Sequence, residues 1–224
     1  MPKTIDQIIR KKNGQKITVV TSYDYTMATL CDQVDILLVG DSAGMVMLGY
    51  ENTAPVTMDQ MCMFTEGVSN GRKNALIVAD LPNKSYENEA DAIANSQRLI
   101  KAGADAVKLE GRMPEIIKAI VQDGIPVMGH LGLLPQTATK YSVQGKTESD
   151  VESLLDDAKA LQEAGVFSIV LEMVTSEATK KVTEMLSVPT IGIGCGQYCD
   201  GQVLVIHDML GLFEKLKPKF VKRY

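Results

Sequence analysis

Eight short apolar runs recur along the chain, each bounded by glycine, proline or a polar residue, and longer stretches of helical periodicity separate most of them. The pattern predicts strands at 17–22, 35–40, 75–81, 106–110, 126–131, 168–173, 189–194 and 203–207. Between them, 87–101 and 150–163 show the clearest helices, with Ala, Leu and Ile on one face and charges on the other. Strand and helix are therefore expected to alternate throughout. Runs that are apolar at consecutive positions require cover on both faces, as in a parallel sheet. Eight such strands fit a closed (β/α)8 TIM barrel, with an open doubly wound sheet as the alternative, because periodicity does not register closure. No low-complexity stretch or composition break divides the chain, so residues 1–224 read as one domain.

An internal similarity supports repeated βα units. The stretch AGADAVKLE at 102–110 lines up with AGVFSIVLE at 164–172, sharing the Ala-Gly and the final Leu-Glu at equal spacing. In each, glycine is expected to cap a helix before a buried strand delivers a glutamate to the same rim. Glu110 and Glu172 should then face one cavity.

Five strand ends carry the candidate chemistry: Asp41 after ILLVG, Asp80 after ALIVA, Glu110 after AVKL, His130 after PVMG and Glu172 after SIVL. Carboxylates are costly to bury unpaired, and several at one rim point to a cation that holds them together. Asp41, Asp80 and Glu110 supply hard oxygen donors, which suit Mg2+ better than zinc because no second histidine or thiolate joins them. A 2-oxo acid could chelate such an ion through its keto and carboxylate oxygens, and the ion would stabilise an enolate formed beside the keto group. Lys108, two residues before Glu110 and so on the same side of its strand, could pair with the substrate carboxylate, and Ser42 could donate to it. Glu172 could act as a base without being a metal ligand, and His130 could orient substrate or a carboxylate. Each residue alone has a plainer reading: Asp41 or Asp80 as a helix cap, Lys108 or Glu172 in a salt bridge, His130 as a structural hydrogen bonder.

Composition narrows the classes. The chain has 224 residues, 45% of them hydrophobic, enough for a sizeable core. A net charge of −5 and a pI near 5.2 give no general attraction for nucleic acid or anionic membrane. The locally basic tail KLKPKFVKRY reads as the start of a solvated helix. Cys31, Cys62, Cys195 and Cys199 lack paired metal spacing and read as buried or incidental thiols in a reducing compartment. The amino terminus, MPKTIDQIIRKKNGQK, has no signal-peptide core and reads as an ordinary helix; no segment approaches the roughly 18 apolar residues of a membrane span. A cytoplasmic protein is expected. GIGCG at 192–196 does not match dinucleotide or P-loop spacing, and the 12 methionines read as core filler.

Several segments together resemble the ketopantoate hydroxymethyltransferase family. They are TSYDYTMA, LLVGDSAGMVMLGYENTAPVTMD, VADLP with Ser85-Tyr86, AVKLEG, VMGHLGLLPQ, YSVQGK, VLEMV, PTIGIGCG and DGQVLVIHDMLGL, in the family's order and across nearly the whole chain. The resemblance implies a barrel of the phosphoenolpyruvate/pyruvate superfamily type. The implied reaction transfers a hydroxymethyl group from 5,10-methylenetetrahydrofolate, as co-substrate, to 3-methyl-2-oxobutanoate, giving 2-dehydropantoate for pantothenate synthesis. By motif position it implies Asp41, Asp80 and Glu110 as magnesium ligands, Asp41, Ser42, Asp80 and Lys108 as oxo-acid contacts, and Glu172 as the group that removes the C3 proton. It also implies a homo-oligomer, a decamer in the family.

This chain departs from the family pattern in four places. Phe64 stands where the family commonly has histidine, Asn83-Lys84 replaces a Phe-Gly-like pair, and the loop from Gln136 to Tyr141 lacks a Gly-Gly segment and is shorter. The chain stops at Tyr224, before the family's C-terminal helical extension. Two other readings compete with the transferase: another enzyme of the same superfamily that makes or breaks a C–C or P–C bond in a 2-oxo acid, and a degenerate barrel kept for assembly or ligand binding.

Overall fold

A computed structural model describes residues 2–224. Eight parallel strands form a closed barrel in sequence order: β1 (Ile17–Thr21), β2 (Ile36–Val39), β3 (Leu76–Asp80), β4 (Ala106–Lys108), β5 (Val127–Gly132), β6 (Ser168–Glu172), β7 (Thr190–Ile193) and β8 (Gly201–Leu204). Pairing of β8 with β1, Gly201 beside Ile17 through Leu204 beside Val20, closes the ring and excludes the open sheet. The helices are α1 (Ile5–Ile9), α2 (Tyr25–Cys31), α3 (Ala43–Val46), α4 (Met58–Gly71), α5 (Glu89–Lys101), α6 (Pro114–Gln122), α7 (Glu148–Glu163), α8 (Ser176–Met185) and α9 (Ile206–Met209). Among the described residues no helix is long and apolar enough to cross a membrane.

Consecutive apolar positions divide between two cores. Ile36, Leu38, Leu76, Val78, Ala106, Met128, Val170 and Val203 fill the barrel interior, and Ile8 of α1 plugs its lower end. Leu37, Val39, Ile77, Val107 and Leu171, the alternate positions of the same strands, pack outward against the helices. The helix α1 starts as its sequence suggests, with Thr4 as N-cap and Gln7 reaching back to the Thr4 N–H. The expected glycine caps also form. Gly103 and Gly165 take φ of +106° and +100°, and the N–H groups of Ala104 and Val166 return to Leu99 and Leu161.

Three expectations are corrected. The last strand starts at Gly201, two residues before the predicted 203–207, and it ends earlier, so Ile206 and His207 belong to α9. Gly201 and Gln202 are invisible to a search for apolar runs. Glycine is nevertheless required there, because a Cβ on Gly201 would lie 2.5 Å from the Ile17 carbonyl oxygen. Helix does not alternate with strand throughout, since β7 passes to β8 through residues 194–200 without one. Cys195 and Cys199 fill the space beneath that short connection, their sulfurs 3.8 Å apart over the bare Cα of Gly192. The basic tail forms no helix. Pro218 within it cannot donate to a helical ladder, and Phe213, Leu216 and Phe220 turn back to wall the upper cavity.

The lower end of the barrel uses aspartates just ahead of strands as staples. Asp35, Asp105 and Asp200 accept N–H bonds from Thr18 of β1, Ile77 of β3 and Thr190 of β7, at 2.9, 2.8 and 2.8 Å. Asp200 also takes the Asn13 N–H and the Lys12 ammonium, at 2.9 and 3.0 Å. Burial alone would raise the Asp200 carboxyl, but those donors hold it below its ordinary value of 3.8. Its folded value lies below its unfolded one, so its stabilisation is present above that ordinary value and fades as pH falls through the folded one. Asp200→Asn is expected to cost about 2–4 kcal/mol, because it leaves Lys12 unpaired and sets an amide N–H against other donors. Thermal melting checks this, and a variant that melts with wild type at neutral pH would refute the staple.

Candidate active site

Strand parity delivers most of the site. Asp80, Lys108, His130 and Glu172 each stand two residues beyond an interior side chain, namely Val78, Ala106, Met128 and Val170, so all four point into the barrel at its upper end. Glu110 continues the same parity past Lys108. Asp41 lies out of phase and arrives from the turn after β2, where the interior position belongs to Gly40. A Cβ there would fall 2.8 Å from Ser42 Oγ, so a larger residue would push Ser42 away from the rim. All seven predicted site residues line one cavity of about 380 Å3, closed above by the tail.

The groups form a continuous charged network. Lys108 Nζ sits 2.9 Å from Asp80 Oδ1, both side chains buried. Asp80 Oδ2 accepts the Asp41 N–H at 3.2 Å. His130 lies between two glutamates, Nδ1 at 3.4 Å from Glu110 Oε1 and Nε2 at 3.3 Å from Glu172 Oε2. Those two approaches are charge contacts, since neither ring nitrogen has a hydrogen-bond partner of good geometry. Ser42 Oγ shares a proton with the buried Tyr23 hydroxyl at 2.8 Å.

The salt-bridge readings of Lys108 and Glu172 are met, with Asp80 and His130 as partners, whereas the helix-cap readings are not. Ser42, at the N-cap of α3, makes no side-chain capping bond. The next long helix beyond Asp80, α5, is capped by Asn88. Lys108 does make a salt bridge, but its partner, Asp80, belongs to the cluster itself.

Burial raises the Asp41 carboxyl to about 8, helped by the Asp80 and Glu110 carboxylates and only partly offset by Lys108. Burial pulls His130 down, yet Glu110 and Glu172 outweigh it and lift the imidazole to about 9, with Lys108 opposing them. The Lys108 ammonium is likewise disfavoured by burial but held charged by Asp80, Glu110 and Asp41. Burial would raise Glu110, and His130 turns that into a net lowering.

Four carboxyl groups, Asp41, Asp80, Glu110 and Glu172, face one ammonium and one imidazole, and the strain settles on Asp41. A hard divalent cation fits this donor set. Asp80 Oδ1 is buried without a hydrogen-bond partner, although Lys108 neutralises it, and Asp41 holds a proton that a cation would displace. Among the described residues no three His, Cys, Asp or Glu side chains already converge as a preformed cage. Magnesium needs none, because it keeps several waters and takes one or two carboxylates plus substrate oxygens. If Asp41 is the donor, cation binding releases its proton below its raised value. Affinity for Mg2+ should therefore climb with pH and level off near 8. Calorimetry in buffers of different ionisation enthalpy would show the released proton at pH 7, and binding without release would count against Asp41.

Sequence reading missed three contributors. Tyr23 positions Ser42, and Tyr86 and Gln136 tie the carboxylates together from neighbouring loops. All three lie inside stretches that resemble the family, and a polar residue closing HLGLLPQ was the available signal for Gln136. The departures also have structural accounts. Phe64 packs its edge against the Tyr23 ring at 6.5 Å, so an apolar contact supports the Tyr23–Ser42 pair where the family commonly has histidine. Lys84 adopts φ +64°, which a glycine takes without steric cost.

Known proteins agree with this architecture. The phosphoenolpyruvate phosphomutase of Streptomyces platensis subsp. rosaceus superposes with TM-score 0.71 at 13% identity, over 94% of this chain and 82% of that one. Phosphonopyruvate hydrolase, solved in complex with oxalate and Mg++, gives 0.70 at 13% identity over 91% and 81%. These likenesses speak for the fold alone. The 3-methyl-2-oxobutanoate hydroxymethyltransferase of Nitrosopumilus maritimus (strain SCM1) is 62% identical, covering 100% of this chain and 84% of its own length. That of Geobacter metallireducens (strain ATCC 53774 / DSM 7210 / GS-15) is 54% identical over 99% and 87%. A profile described as ketopantoate hydroxymethyltransferase matches residues 2–224, and the chain belongs to that family.

Proposed function

We propose that this protein transfers a hydroxymethyl group from 5,10-methylenetetrahydrofolate to 3-methyl-2-oxobutanoate, yielding 2-dehydropantoate. One observation carries the reading: Glu172 faces the Asp41, Asp80, Lys108 and Glu110 cluster across a single cavity, at the distance of one intervening imidazole. A base on one wall and a carboxylate-and-ammonium cluster on the other suit a small 2-oxo acid that must lose a proton beside its keto group. The relatives' names support 3-methyl-2-oxobutanoate and a hydroxymethyl transfer, and the folate donor is what the resemblance implies.

Asp41, Asp80 and Glu110 would hold Mg2+, which supplies Lewis-acid polarisation of the keto oxygen when bound. Lys108, fixed by Asp80, meets the substrate carboxylate, and Ser42 donates to the same end. Glu172 takes the C3 proton on the oxygen that His130 leaves free, while His130 holds Oε2 and so orients the carboxylate. Water adds to the folate-borne carbon as both of its C–N bonds break, its hydrogens passing to the two nitrogens and its oxygen staying on carbon; C3 bonds to that formaldehyde-level carbon, whose oxygen takes the proton from Glu172. The apolar upper wall from Phe213, Leu216 and Phe220 covers the acid and limits entry of other water. From its length and composition the chain is read as one barrel domain in the cytoplasm, and, as the resemblance implies, as a homo-oligomer.

Proton NMR of the oxo acid with 5,10-methylenetetrahydrofolate tests the reading. Hydroxymethyl signals should grow with Mg2+ and stop with chelator. Turnover of another 2-oxo acid without use of the folate would favour a different reaction of the superfamily. Folded protein that neither binds Mg2+ nor exchanges the C3 proton would favour a non-catalytic barrel.

A further inference from the structure

Gln136, on the loop after β5, is only 4% exposed and reaches three strand ends at once. Its Nε2 donates to Asp41 Oδ2 at 2.8 Å and to the Leu81 carbonyl at 2.9 Å. Its Oε1 accepts the Tyr86 hydroxyl, and its backbone N–H donates to Glu110 Oε2 at 3.1 Å. Every polar atom of the carboxamide is therefore used. A flipped amide would set its oxygen against a carboxylate and a carbonyl, and glutamate would do the same with an added charge. Leu81, Asp41 and Glu110 follow β3, β2 and β4, so the Gln136 carboxamide holds the rim ends of two neighbouring strands and its backbone N–H that of a third.

The consequence for the carboxylates is specific. Gln136 engages one oxygen of Asp41 through its side chain and one of Glu110 through its backbone N–H, and so selects which oxygen of each is left over, Asp41 Oδ1 and the Glu110 Oε1 that lies beside His130. Apolar packing could hold the loop but could not make that selection, because carboxylates rotate freely about their last bond. Resting on the reading of this site as a Mg2+-assisted enolisation centre, we infer that Gln136 is a positioning residue that presents Asp41 and Glu110 to the cation. Docking of the loop after β5 and assembly of the cation site are then one event, and Tyr86 completes it by orienting the amide.

Binding of Mn2+, followed by water-proton relaxation without substrate, tests this apart from turnover. Gln136→Leu and Gln136→Glu should bind Mn2+ about 10–100-fold more weakly than wild type, the usual effect of losing a group that orients ligands. The KM for 3-methyl-2-oxobutanoate should rise at limiting metal, while kcat at saturating metal stays near that of wild type. A residue that merely holds the loop would lower the melting temperature and leave Mn2+ affinity of the folded protein unchanged, and that outcome overturns the inference. Should both variants fail to fold, Tyr86→Phe keeps the Gln136 side chain and removes only the hydroxyl that donates to Gln136 Oε1 and accepts the Glu110 N–H at 3.4 Å. It should still weaken Mn2+ binding several-fold, and an unchanged affinity there overturns the inference as well. Wild-type protein that binds no Mn2+ overturns the enolisation reading itself, and with it this role for Gln136.

Discussion

Glu172→Gln is expected to slow exchange of the C3 proton of 3-methyl-2-oxobutanoate by about 10²–10⁴-fold, the usual contribution of a positioned general base. The substitution keeps the size of the side chain and its reach toward His130, but an amide cannot take the proton. Glu172 ends β6 with its carboxylate partly open to the cavity, so the loss should fall on chemistry and leave the fold intact. Deuterium uptake at C3 in D2O isolates this step, because it needs neither folate nor product release. A variant that exchanges as fast as wild type would assign the base elsewhere. One that exchanges slowly and still binds Mg2+ and the oxo acid would place Glu172 at the proton. His130 shares the Glu172 contact but also touches Glu110, so its removal would disturb metal site and base together and could not separate them.

Lys108→Met should be the most destabilising change at the rim. Lys108 is 4% exposed and its ammonium faces Asp80, Glu110 and Asp41. Methionine matches its volume but leaves the carboxylates buried with one charge partner fewer, at a cost of about 3–5 kcal/mol for a broken buried pair. For a domain of this size that lowers the melting temperature by roughly 6–20 °C, at about 2–4 °C per kcal/mol. The sign with pH follows from Asp41. Its folded value, about 8, stands above its unfolded one, so its favourable contribution is complete in acid and is lost as pH rises toward 8. Removing Lys108 pushes that carboxyl higher still. The variant should therefore suffer more at pH 9 than at pH 6, where Asp41 already carries a proton. Added Mg2+ should restore part of the loss by replacing the missing positive charge. Melting curves at both pH values, with and without Mg2+, read all three effects. A variant as stable as wild type at pH 9 would mean that the carboxylates are not competing for Lys108.

Much of this was written locally in the chain. Continuous apolar runs mark strands because a strand buried on both faces keeps polar residues mainly to its ends, and seven of the eight predicted runs coincide with strands to within about two residues. The repeated Ala-Gly before β4 and β6 marks helix ends because only glycine takes the left-handed cap cheaply. Four of the polar residues ending five runs, Asp80, Glu110, His130 and Glu172, were visible as a site because parity places them on one side of each strand, and Asp41 joined them from the turn after β2. The misses share a cause. Gly201 opens β8 through a close backbone approach, which leaves no trace in hydrophobicity. The tail folds back as a wall because apolar surface is available above the cavity, which its local charge does not reveal. Gln136, Tyr86 and Tyr23 act through partners between 19 and 95 positions away in sequence, and no local pattern encodes such a meeting.

The chain by itself determined the strand count, the barrel type, the acidic rim and the family, because each depends on residues near one another in sequence or on motif order. Tertiary structure alone decided the rest: the helix-free step from β7 to β8, the wedge of His130 between Glu110 and Glu172, the raised Asp41 carboxyl, and the single glutamine that gathers three strand ends. Those features depend on distances across a closed barrel. Closure brings like charges into a medium that screens them poorly, so proton positions and partner choices are set only after the ring is complete.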